Sequence, residues 1–238
     1  MNFDFFNTIR KSDRTEALNT LIAGSYPRRE LFLVTALAAG IAGIGLITDD
    51  LVLIIGSMIV APLLLPQLAL GLGLAIGDYK LIGTSLKTIM IGTIVSVLFV
   101  IPIGLLLENN KFLDFSSYYS TIKPTFASSF VAILAGIVSA FAISKKNLSS
   151  SMAGVAIAVA LVPPLAAIGI AISRLDLDHF IQTSMQYSLN VVIIATFSSF
   201  VFRYLHFEES LRQAHKTFKN EEKEAKREAE ESNSLKII

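Results

Sequence analysis

Residues 56–76 read GSMIVAPLLLPQLALGLGLAI, an uncharged apolar run interrupted by Pro62 and Pro66. Proline has no N–H to donate and its ring clashes with the preceding turn, so the pattern predicts a broken membrane helix rather than a soluble core helix. A second run over residues 154–173, GVAIAVALVPPLAAIGIAIS, carries Pro163 and Pro164. At a constant offset of 98, Gly56, Ile59, Leu63, Pro66, Ala69 and Gly71 meet Gly154, Ile157, Leu161, Pro164, Ala167 and Gly169. Leucine and alanine coincide easily in so apolar a background. The Gly, Pro, Gly spacing does not, and it predicts an internal repeat with a Pro-broken helix in each half.

The composition points the same way. Of 238 residues 53% are hydrophobic and 16% charged, with a mean hydropathy of +0.63, which is too apolar for a soluble domain and long enough for several spans. The net charge of +1 hides a segregation, because charges collect at the two ends and in short connections. No basic surface suggests nucleic acid. With no cysteine, and with His179, His206 and His215 scattered outside the apolar runs, disulfides, thiolate metal sites and a cysteine nucleophile are excluded. No metal or cofactor is expected.

Outward from the two runs, the chain divides into five parts. Residues 1–30, with Phe3, Phe5, Phe6 and Ile9 among basic residues, read as a cytoplasmic amphipathic segment lying at the membrane interface rather than a cleaved leader. Residues 31–107 hold a first three-helix repeat, with spans at 31–47, 51–76 and 82–107. Residues 108–125 read as an interfacial linker, from their Phe and Tyr content. Residues 126–205 hold the second three-helix repeat. Residues 206–238 read as a charged, solvated cytoplasmic helix with Glu208 and Arg212, then Glu222 and Lys226, at i, i+4. Six spans place both termini on one side, and the excess of Lys and Arg in segments on that side makes both ends cytoplasmic, in the cell membrane.

Three spans per half is an odd number, so the second half must sit upside down relative to the first. Inverted repeats underlie many secondary transporters, and paired Gly/Pro-interrupted spans point to the binding site. A break frees backbone groups that cost several kcal/mol if left dry in lipid, so they must line a protein-enclosed or watery cavity. Half-helices starting after Pro66 and Pro164 would direct about +0.5 of an elementary charge at a ligand, which favours an anion. The candidate substrate-binding residues are Ser57, Met58, Pro62, Pro66, Gln67, Ser128, Ser129, Pro163, Pro164 and Asn190. None is ionisable, which argues against an intramembrane proton relay. The serines equally suit helix packing or bonding back to their own helix.

Catalysis finds no support in these runs. Asp78 follows Gly77 as in intramembrane aspartyl proteases, but no other span carries the second aspartate, and no Ser and His pair lies in a span. The protein is expected not to be an enzyme.

The stretches GSMIVAPLLLPQLALGLGLAIGD and GVAIAVALVPPLAAIGIAIS resemble the membrane family catalogued as domain of unknown function number 389, also called the uncharacterised hydrophobic domain family, and the resemblance covers about residues 26–205. It implies a bacterial or archaeal polytopic membrane protein and supplies no substrate. Where that family tends to carry an acidic residue early in the fourth span, this chain has Ser128.

The expectation is therefore an all-α membrane protein of six transmembrane helices in two inverted repeats, embedded in the lipid bilayer as a homo-oligomer. Its expected function is a transporter or channel for a small solute or ion; the alternative is a non-transporting scaffold or sensor signalling through the C-terminal helix. A transporter predicts a polar cavity reaching the midplane between spans two and five. A scaffold predicts those spans packed shut, with the prolines as mere kinks.

Overall fold

A computed structural model describes residues 11–107, 125–145 and 150–207, and every regular element among them is an α-helix. Phe3, Phe5, Phe6 and Ile9 of the expected interfacial segment, most of the expected linker, and all of the expected charged tail beyond Phe207 lie outside the described residues. The helices are α1 (Lys11–Ser25), α2 (Arg29–Thr48), α3 (Leu51–Val60), α4 (Leu64–Ile76), α5 (Tyr79–Leu107), α6 (Phe126–Ser144), α7 (Ser150–Ser173) and α8 (Leu177–Tyr204). Five of them, α2, α5, α6, α7 and α8, are long and apolar enough to cross a membrane, and α3 and α4 form an apolar pair bent by 59° at their break, the geometry of a broken span or of a re-entrant loop. The chain is a membrane protein by this measure.

One local device makes three of the connections. A residue in the left-handed region ends one helix and an aspartate opens the next: Asp49 then Asp50, Gly77 then Asp78, Leu175 then Asp176. The amide of each aspartate closes on a carbonyl five residues back, Asp50 on Gly45 at 2.8 Å, Asp78 on Gly73 and Asp176 on Ala171 at 3.0 Å each. Each carboxylate then accepts from the next helix's first free amides, Asp50 from Val52 at 2.8 Å and Asp78 from Lys80 at 2.9 Å. The Gly77–Asp78 turn and the Leu175–Asp176 turn stand 98 residues apart, the spacing of the sequence repeat. α6 opens with a reciprocal cap between Thr125 and Ser128 instead.

Asp176 gives one of these turns a pH dependence. The hydrogen bond from the His179 backbone amide is the main cause that holds its carboxyl below the ordinary value of 3.8; burial opposes it, and the His179 ring, 2.6 Å from Oδ2, lowers it further. A lowered folded value means that the stabilisation is complete above pH 3.8 and is lost as pH falls through the folded value. Asp176→Ala is therefore expected to melt about 2–4 °C below wild type at pH 6, with the gap closing towards pH 3. Thermal melting in detergent at the two pH values measures it.

Prolines act differently in the two halves. Pro62 lies in the three-residue gap between α3 and α4, while Pro66 sits inside the first turn of α4, where an N–H would have no helical acceptor anyway. The half-helix thus starts at Leu64, before Pro66 rather than after it. The second break does not occur: α7 runs unbroken from Ser150 to Ser173 with Pro163 and Pro164 inside it. The expectation of a Pro-broken helix in each half is corrected to one broken and one continuous, for a reason supplied by α8 and described below.

Packing is set by close approaches at glycine. A Cβ on Gly71 of α4 would stand 2.9 Å from the Ala195 carbonyl oxygen of α8 and overlap Ser198; one on Gly169 of α7 would stand 2.6 Å from Val100 Cβ and 3.2 Å from the Val97 carbonyl oxygen of α5. Gly104 of α5 meets Ile170 and Ser173 of α7 in the same way. Because 97–100 faces 169 and 104 faces 170–173, α5 and α7 run parallel. α7 is the most enclosed span, with 83% of Ala156–Ser173 buried, whereas α5 is the most exposed at 28%.

α1 belongs to this bundle too. Ala17, Leu18, Leu21 and Ile22, at helical spacing, are buried as α1 packs on α4 and α5. Its C-terminal end is pinned by Thr88, whose hydroxyl donates to the Ser25 carbonyl at 2.6 Å. Gly24 lets it lie directly on Leu65, in the first turn of α4 beside the break.

Candidate functional site

Two side-chain amides converge on one turn of α8. Gln67 reaches across from the first turn of α4, and its Nε2 donates to the Val191 carbonyl at 2.6 Å. On the neighbouring position, Asn190 of α8 donates from Nδ2 to the Ala160 carbonyl of α7 at 2.7 Å. Ala160 is four residues before Pro164, so its carbonyl is one whose helical donor the proline has removed. A buried carbonyl left unpaired costs about 1–3 kcal/mol. Asn190 supplies the missing donor, and α7 stays continuous through a Pro-Pro pair.

The network extends outward from there. Gln186, one turn before Asn190, donates from Nε2 to Asn190 Oδ1 at 3.0 Å, and Ser128 Oγ stands 3.4 Å from Gln186 Oε1. Ser128 is itself tied to the exposed start of α6, with Oγ 2.8 Å from the Thr125 carbonyl. A line of polar groups thus runs from the α6 N-terminus to the Pro pair. Gln186 and Asn190 are 3% and 2% exposed, so the inner part of that line is fully enclosed.

Of the residues expected from sequence, Gln67, Ser128, Asn190 and Pro164 are brought together around α8. Pro66 is buried in the same first turn as Gln67, and Pro163 is buried beside Pro164. Ser57 and Met58 lie on α3, away from that turn; Ser57 is buried and bonds back to the Ile54 carbonyl at 2.6 Å. Pro62 is half-buried in the gap, and Ser129 is half-buried on α6. Gln186 is the member that sequence reasoning missed. Its signal was present, because an amide four residues before Asn190 shares its helix face.

One acceptor in the site is unused. Gln67 is 1% exposed, and among the described residues its Oε1 has no hydrogen-bond partner. Its own amide reaches the Leu63 carbonyl at 3.4 Å, but the amides of Leu64 and Leu65, ahead of it in the first turn of α4, have no helical acceptor. The chemistry left open at the break is thus both donating and accepting.

A groove of about 430 Å³ lies beside this cluster, between α5 and α8 with Ile168 of α7. Its walls repeat the spacing of 98: Ile89 with Tyr187, Thr93 with Val191, Ile94 with Val192. It is largely apolar: its polar side chains are Thr93 and Tyr187, whose hydroxyls are bonded to each other at 2.6 Å, and the small Ser184 and Ser188. A polar cavity was expected between spans two and five; the groove found lies between spans three and six and is lined for hydrocarbon.

Residues 58–196 match the family model described as Domain of unknown function (DUF389), which is more than half of the chain. The chain is similar to Uncharacterized protein MJ0678 of Methanocaldococcus jannaschii, at 34% identity over 168 residues, or 70% of this chain and 51% of that protein. It therefore spans about half the length of that relative. No solved structure matches.

Proposed function

Given that the chain belongs to the family described as Domain of unknown function (DUF389), we propose that it is a non-enzymatic carrier for a small solute, built from two inverted three-span repeats in the cell membrane, with both termini cytoplasmic and several copies associated. The observation that carries the reading is the crossed glycine packing. Gly71 of the first half seats on residues 195 and 198 of the second, and Gly169 of the second seats on residues 97 and 100 of the first, each position shifted by 98. Each half thus clasps the other through the same contact.

Chain direction supports the inversion. α4 turns tightly back into α5, and α5 runs parallel to α7, so α4 and α7, the equivalent elements of the two halves, run in opposite senses. Exchangeable halves of that kind allow access to alternate between the two membrane faces. The solute would bind at the α3–α4 break. The first turn of α4 suits an anionic group, and the unpaired Gln67 Oε1 would accept from an N–H or O–H of the same solute.

A second reading has one observation in its favour. Pro163 and Pro164 are packed shut inside α7, as expected of a scaffold that does not transport. Solute flux separates the two. Purified protein in liposomes is expected to move one class from a panel of amino acids, small anions and cations, and a folded Pro66→Ala, Pro164→Ala variant is expected to move it at least about ten-fold more slowly. Flux at the empty-liposome background for every solute would overturn the carrier.

A further inference from the structure

The two repeated elements have the same proline at the same place and different conformations. Pro66 belongs to an element bent by 59°, whereas Pro164, 98 residues on, belongs to a continuous helix. The elements also differ within themselves, since Pro62 in the first gap corresponds to Ala160 and Leu65 to Pro163, but the donor that Pro164 removes from α7 is replaced from outside it.

We propose that Asn190 is the positioning residue that holds α7 straight, a latch whose release lets α7 break at Pro163–Pro164 as α3–α4 already does; the proposal rests on the carrier reading, in which the halves exchange conformations. Pro164 removes the helical donor to the Ala160 carbonyl, and Asn190 replaces it at 2.7 Å. Gln186, bonded to Asn190 Oδ1 at 3.0 Å, fixes the amide so that its nitrogen faces α7. The residue 98 before Asn190 is Gly92, which has no side chain to offer. In the first half, Pro66 stands in the first turn of α4 and deprives no helical carbonyl, while Pro62 lies in the gap itself. The half with the amide is straight and the half without it is broken.

A single side-chain bond is a suitable latch. Unlike a backbone bond, it belongs to another helix, so a small slide of α8 against α7 removes it without unfolding either. Ser128, standing 3.4 Å from Gln186 Oε1, connects the latch to the exposed start of α6. The resting arrangement is then one access state, and the other has α7 broken and Asn190 released.

Hydrogen–deuterium exchange of the protein in nanodiscs, read by mass spectrometry over α7 and compared with the other spans, tests this. Asn190→Leu is expected to speed exchange in residues 160–168 at least about ten-fold and leave α2 and α5 unchanged. Adding Pro164→Ala should restore wild-type protection, because position 164 then donates to the Ala160 carbonyl from its own backbone. Pro164→Ala alone should exchange more slowly than wild type, melt higher and move solute at least about ten-fold more slowly, which a merely structural role does not predict. Should Asn190→Leu not fold, Gln186→Leu, which removes only the orienting bond, is expected to show a smaller rise confined to the same residues. Unchanged exchange in α7, or a rise in every span that Pro164→Ala does not reverse, would overturn the latch. Normal latch behaviour without flux in any protein would instead overturn the carrier reading.

Discussion

Gly71→Ala and Gly169→Ala are each expected to destabilise the protein by about 2–3 kcal/mol, lowering the melting temperature by roughly 4–12 °C. A single methyl suffices because the neighbours are not free to move. At Gly71 the new carbon would stand 2.9 Å from the Ala195 carbonyl oxygen and overlap the Ser198 side chain; at Gly169 it would stand 2.6 Å from Val100 Cβ. A carbonyl oxygen inside α8 can retreat only by moving the helix, and such a shift would strain the Gln67 and Asn190 bonds made within one turn of it. Gly83→Ala is the control. Nothing lies within 4 Å of its added carbon, and the gain in helix propensity should stabilise by about 0.5–1 kcal/mol. Melting in one detergent compares all three. Matching losses at Gly71 and Gly169 would support equivalent contacts; a wild-type melt for either would show that those helices do not approach as described.

The spacing of Gly71 and Gly169 was legible in the sequence because a glycine needed for close approach leaves a mark that composition alone does not. So were the breaks at Asp49–Asp50 and Gly77–Asp78, where turn residues interrupt apolar runs. What could not be read was the different fate of two similar Pro motifs. Pro163–Pro164 is the stronger local breaker, yet it lies in the straight helix, because the donor that repairs it comes from Asn190 in another element. Local pattern cannot foresee a tertiary bond. The burial of α1 has a mark in the sequence: Ala17, Leu18, Leu21 and Ile22 form an apolar stripe at helical spacing. The start of α8 at Leu177 is obscured in the sequence by the polar residues Gln182, Thr183, Ser184 and Gln186. Of these, Gln186 belongs to the buried network.

Gln67→Leu is expected to leave the fold intact and to reduce solute movement at least about ten-fold. The fold should tolerate it because Gln67 gives the protein little that leucine would not. Its Nε2 bond goes to the Val191 carbonyl, which lies inside the continuous α8 and keeps the helical donor of Ala195. Its Oε1 has no partner among the described residues, so the substitution also removes a buried, unpaired acceptor. One secondary bond lost against one unsatisfied atom removed gives a net change of about 1 kcal/mol or less in either direction. A side chain that is 1% exposed, costly to desolvate and only half used within the protein has its remaining capacity available to a ligand at the break. If the solute's donor bonds to Oε1, losing that bond costs about 1.4 kcal/mol, which is ten-fold in affinity. Flux in liposomes and melting in detergent, measured on the same preparation, decide it. Wild-type flux with a melt lowered by the equivalent of about 3 kcal/mol would make Gln67 a strut between α4 and α8, and would move the search for the solute site away from the break.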